Sequence, residues 1–140
     1  MSTVISNMDD VIDSREITSR RDELQSEYDE LEVAVEDSEE GSEERDLADE
    51  NLNDFNTEFG DELASLNALC HDGENASEDW EWGATLIRDS YLTDYVQEMV
   101  EDCYSLKIPD FVEVDWEATA RNVRMDYTPI EFDGVTYWVR

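Results

Sequence analysis

From Asp22 to Asp79 the chain carries 23 carboxylates and a single base, Arg45, and no other stretch constrains its folding so tightly. Two thin apolar stripes run through the acids. Ile17, Leu24, Tyr28, Leu31 and Val35 recur at intervals of seven, four, three and four, and Leu52, Phe55, Phe59, Leu63, Leu66 and Leu69 at three or four. That period is helical. Each stripe is one or two side chains wide in a charged surround, so neither helix is stable alone and each must lay its seam against a partner. The segment EDSEEGSEE, centred on Gly41, is the evident break between them. An antiparallel hairpin follows, with helices over about residues 14–38 and 43–71. Its competitor is one continuous helix pairing with a second copy of the chain as a homodimer, because one glycine costs a helix only about 1 kcal/mol.

The charge is unevenly divided. Residues 1–79 hold 27 acids and 4 bases, and residues 80–140 hold 13 and 5 together with all four tryptophans. The asymmetry predicts two modules, an acidic helical arm over 1–79 and a small aromatic-rich domain over 80–140, with the seam in CHDGENASEDW where Gly73, Asn75 and Ser77 cluster. A formal net charge of -31 argues against direct nucleic-acid binding and against a basic patch for anionic membranes. Hydrophobic residues make up 39% of the chain, too many for a wholly disordered one. No apolar run approaches the roughly 18 residues of a membrane span, and MSTVISNMDD lacks the basic flank and apolar stretch of a secretory leader, so a cytoplasmic protein is expected. Cys70 and Cys103, without the spacing of a zinc site or disulfide scaffold, read as free thiols.

In the second module Tyr91, Leu92, Tyr95, Val96, Met99, Val100 and Cys103 mark one face of a helix over about residues 89–104. Asp115 is the N-cap of a short helix carrying Trp116, Ala120 and Val123. Asp133-Gly134, between two β-rich runs, signals a tight hairpin, and Trp80, Trp82, Trp116 and Trp138 read as core. The fold class expected is α+β: an N-terminal acidic helical hairpin or coiled coil, then a small α+β domain ending in a β-hairpin.

Catalytic chemistry finds little to work with. His71 is the only histidine and directly follows Cys70, so the two point about 100° apart on a helix and make a poor nucleophile and base. Residues 72–83 fail as a calcium loop, with Ser77 at the sixth position and Gly83 at the twelfth. No glycine-rich phosphate loop or Gly-x-Ser-x-Gly elbow occurs. The sequence predicts no enzyme, no cofactor and no metal.

What remains is the acidity. Over residues 22–79 the net charge is -22; folded into two antiparallel helices, that is one charge per about 2 Å of axis, against about 1.7 Å for duplex DNA. Carboxylates three or four residues apart lie roughly 5–6 Å apart at Cβ, close to the step between phosphates. Such crowding is repulsive and far exceeds the net charge of about 2–8 that solubility needs. The acids expected to present this phosphate-like field are Asp22, Glu23, Glu27, Glu30, Glu36, Glu43, Glu44, Asp49, Glu50, Asp54, Glu58 and Asp61. The plainer alternative is a solvated coiled-coil face on a structural or adaptor protein. Salt adaptation, suggested by Lys107 being the only lysine beside eight arginines, should acidify both modules evenly and does not fit the split.

The stretches DVIDSREI, GATLIRDSYLTDYVQEMVEDC, DWEATARNVRMDYT and EFDGVTYWVR resemble phage-encoded antirestriction proteins. The close, from DWEATA to the terminal Tyr-Trp-Val-Arg, is also similar to the tail of ArdA-type antirestriction proteins, acidic DNA mimics that act on type I restriction-modification enzymes. The resemblance implies a phage or prophage origin, action in the host cytoplasm, and a DNA-binding host defence protein as partner. It supplies no catalytic positions.

Overall fold

A computed structural model describes residues 5–104 and 109–140. Lys107 and the first four residues of the MSTVISNMDD segment lie outside the described residues. The fold is α+β. Strand β1 (Val11–Asp13) leads into helix α1 (Ser14–Asp37), which turns into α2 (Glu43–Ala76). A four-residue helix α3 (Trp80–Gly83), β2 (Thr85–Arg88), a 3-10 turn, α4 (Leu92–Tyr104), α5 (Trp116–Val123), β3 (Thr128–Phe132) and β4 (Val135–Val139) follow. The sheet is antiparallel throughout, in the order β1-β2-β4-β3.

The hairpin forms within one chain, which removes the continuous helix as the architecture. Gly41 sits in the tip with φ +83, a conformation that glycine adopts without strain. The Ser42 hydroxyl accepts from the Arg45 N–H at 3.1 Å, capping α2. Glu43, Glu44 and Asp46 in the first turn complement the positive end of the helix dipole. The second helix, expected to end at about residue 71, continues to Ala76. Gly73, which reads as a loop residue, is helical and buried. A Cβ there would meet the Trp80 ring at 2.2 Å, so it is close packing rather than a turn that requires glycine.

The sheet carries helices on both faces. Leu86, Ile130, Phe132, Tyr137 and Val139 face the hairpin and join Ile12, Ile17, Leu24, Phe55, Leu63, Leu66 and Leu69 in one buried cluster that spans both sides of residue 80. Ile87 faces the other way and packs with Leu92, Val96 and Ala120 beneath α4 and α5. Neighbouring β2 residues Leu86 and Ile87 thus serve opposite layers, as strand alternation demands. Asp115 caps α5, its carboxylate accepting from the Ala118 N–H at 3.0 Å. The terminal hairpin turns through Asp133 (φ 47) and Gly134 (φ 81), the two positive values of a tight turn. Phe132 opposite Val135 closes that turn, so Pro129 and Glu131 direct their backbone outward. Proline there leaves the Glu131 N–H as the one outward donor within β3. The helix expected over 89–104 starts as a 3-10 turn, Asp89–Tyr91, before α4 proper.

Candidate partner-binding surface

Two cross-links show how far the hairpin reaches. The Ser65 hydroxyl donates to the Asp133 carboxylate at the β3-β4 turn, which sets one end of the sheet level with residue 65. Just beyond, Arg20 Nε donates to Glu62 Oε2 at 2.8 Å and ties α1 to α2. From Glu43 to Ala64, 22 residues of α2, the hairpin therefore projects about 33 Å past the sheet. Its seam is aromatic and aliphatic, with the Tyr28 and Phe55 rings 6.1 Å apart and those of Phe55 and Phe59 5.5 Å apart. The Arg20 guanidinium lies 5.7 Å from the Phe59 ring centre. Packing of this kind holds the two helices in one relation to each other.

All twelve acids expected to carry the field, Asp22, Glu23, Glu27, Glu30, Glu36, Glu43, Glu44, Asp49, Glu50, Asp54, Glu58 and Asp61, are exposed and lie on α1 or α2. At 100° per residue those on each helix span roughly 200° of circumference away from the seam. Asp22 pairs with Arg21 at 2.9 Å, Glu23 with Arg20 at 3.5 Å and Asp49 with Arg45 at 3.7 Å. The other nine have no arginine or lysine within 4 Å among the described residues. Asp29, Asp37, Glu39, Glu40 and Asp46 are exposed on the same projection and belong to the surface although they were not among the twelve. The helical spacing that marks the twelve applies equally to Asp29, Asp37 and Asp46, whereas Glu39 and Glu40 lie in the turn between the helices.

Residues 22–61 contain 18 acids and one base. Spread over the 19 residues from Glu43 to Asp61, about 28 Å of axis, their net charge of -17 falls at about 1.7 Å per charge, the value for duplex DNA.

The base of the projection is held differently. Ser14 and Ser77 are the buried polar residues among those described, and both grip α3. The Ser14 hydroxyl donates to the Trp80 carbonyl and accepts from the Ala84 N–H, each at 2.7 Å. The Ser77 hydroxyl donates to the Arg140 carbonyl at 2.6 Å and accepts from the Asp79 N–H at 3.2 Å. Trp80 is 3% exposed, whereas Trp82, two residues on, is 76% exposed. The expectation that all four tryptophans are core holds fully for Trp80 alone: Trp138 is half-buried against the second cluster, Trp116 is half-buried outside both clusters, and Trp82 is exposed because a tight helical turn cannot bury both residues of a Trp-x-Trp pair on one side.

Cys70 and His71, the pair weighed for nucleophilic chemistry, face different surroundings. Cys70 is buried, and burial raises its thiol pKa. His71 is exposed, its ring 3.5 Å from the Asn75 amide, so helical geometry separates the pair as expected. A cavity of about 460 Å³ is lined by Thr18, Arg21, Glu74, Ser77, Glu78, Trp80 and Glu81, and its two hydroxyls, of Thr18 and Ser77, donate to the backbone carbonyls of Ser14 and Arg140. Among the described residues no group of three His, Cys, Asp or Glu is placed to hold a metal ion, and no helix is long and apolar enough to cross a membrane. Comparison with family models, curated proteins and solved structures finds no match.

Proposed function

We propose that this chain is a non-enzymatic DNA mimic of phage origin, an inhibitor that occupies the DNA-binding groove of a host defence enzyme of the restriction-modification kind in the host cytoplasm. The observation that carries the reading is the projecting hairpin. Its packed seam sets exposed carboxylates at a linear charge density close to that of a duplex, with nine of the twelve central acids unpaired among the described residues. A groove lined with Lys and Arg attracts such a surface as it attracts phosphates, accelerating encounter and losing affinity as salt rises.

The test is competition. Titrated against a restriction enzyme bound to labelled duplex, the protein displaces DNA at 50 mM salt and does so at least tenfold less effectively at 200 mM. Replacing Glu27, Glu30, Glu43, Glu50 and Glu58 by Gln lowers affinity in steps and flattens the salt dependence. Failure to displace duplex from type I or other restriction enzymes at low salt rejects the reading.

A second reading is an acidic adaptor that self-associates through the hairpin. Val33 and Leu47, 50% and 57% exposed, both lie within about two turns of the tip. Light scattering separates the two: an adaptor of this kind is dimeric and becomes monomeric in a Val33→Lys, Leu47→Lys variant.

A further inference from the structure

Trp82 is the one tryptophan that the fold leaves in water, on a backbone that the fold holds firmly. The element presenting it is only four residues long and could not persist without external support. The two buried polar side chains of the described residues supply that support, Ser14 from the start of α1 and Ser77 from the end of α2. Trp80 anchors the element from below, seated on Gly73. The Trp82 and Gly83 N–H groups close the turn onto the Asp79 carbonyl at 3.0 and 2.9 Å. Buried hydrogen bonds and a glycine-backed aromatic anchor are thus committed to fixing the backbone of a residue whose side chain contributes little to the core. An exposed tryptophan on a fixed backbone suits the centre of a binding interface, because the main-chain share of its ordering cost is met before the partner arrives.

The surroundings select the partner. Glu78, Asp79 and Glu81 lie within four residues of Trp82 in the chain and are all exposed. Arg15 lies against the neighbouring Gly83 and is already bound to Asp13 through two hydrogen bonds, at 3.1 and 2.7 Å. An exposed indole in so acidic a segment attracts a cation with a flat apolar face, which describes guanidinium better than ammonium.

We infer that Trp82 is a docking residue of the mimic surface, on which an arginine side chain of the DNA-binding partner stacks while its N–H groups meet the carboxylates of Glu78, Asp79 or Glu81. This rests on the mimic reading and adds an element that phosphates lack. Carboxylates alone bind lysine and arginine grooves by charge; Trp82 biases the choice toward arginine.

The experiment uses the full chain with octa-arginine and octa-lysine peptides of equal charge, titrated by calorimetry at 0.15 M salt. The wild type binds octa-arginine about three- to tenfold more tightly than octa-lysine. Trp82→Ala loses that preference while retaining its circular dichroism and its octa-lysine affinity, and Trp82→Phe keeps part of it. Equal affinity of the wild type for both peptides, or a Trp82→Ala variant that keeps the preference, overturns the assignment and leaves the mimic reading intact. Binding of neither peptide at 20 mM salt overturns both. A wild type that sediments as a dimer, with Trp82→Ala monomeric, gives the indole to a second copy of this chain and overturns the assignment.

Discussion

Ser14 shows how much one hydroxyl can decide. It begins α1 and is fully buried, and its Oγ is at once a donor to the Trp80 carbonyl and an acceptor from the Ala84 N–H. Ser14→Ala leaves both backbone groups buried without a partner, at a cost of about 2–4 kcal/mol. The expected outcome is a lower urea midpoint with an unchanged slope, together with stronger quenching of tryptophan fluorescence by acrylamide as α3 loosens. At this scale the sequence is legible where chemistry is local. The Asp115 cap and the Asp133-Gly134 turn are visible because a short polar side chain or a positive φ is a property of the residue itself. Ser14 gives no such signal, for its two partners lie 66 and 70 residues away.

Among the elements, α1 and α2 are readable from their stripes and β1 is not. Val11–Asp13 is three residues long, too short for alternation to register, and its pairing partner lies across the whole hairpin at Thr85–Ile87. The end of α2 is misread for an instructive reason. Gly, Asn and Ser cluster there as they do in loops, yet the helix continues because Gly73 lets the Trp80 ring lie on its backbone. Gly73→Ala therefore destabilises the protein although alanine is the better helix former. Steric cost of about 1–3 kcal/mol outweighs a propensity gain of about 1 kcal/mol. Thermal melts should show a lower Tm for Gly73→Ala, whereas Gly60→Ala, where a Cβ meets nothing nearer than 3.8 Å, raises it. The acids of the candidate surface were legible as exposed, since little else can be done with so many carboxylates. Trp82 was not, because Trp-x-Trp does not say which ring faces inward.

For the molecule as a whole, charge sets stability and recognition against each other. With a net charge of -31, self-repulsion weakens the compact state, and salt relieves it by screening. The Tm should rise between 10 mM and 300 mM NaCl, over the same range in which affinity for a basic partner falls. A Tm that is flat or declining with salt would mean that the carboxylates do not act on one another as a dense array.

The register of the sheet carries one more consequence. Asp13 at the end of β1 faces Thr85 at the start of β2, so the 71 residues between them leave and return at the same point. The hairpin is in effect a mast stepped into a deck, and its foot is indifferent to its height. Because closing a longer loop costs so little extra, matched heptads could be added to or lost from both helices without disturbing the strands below. If the proposed mimicry holds, a lineage carrying this fold could match the length of its charged projection to each new target while inheriting the same foundation.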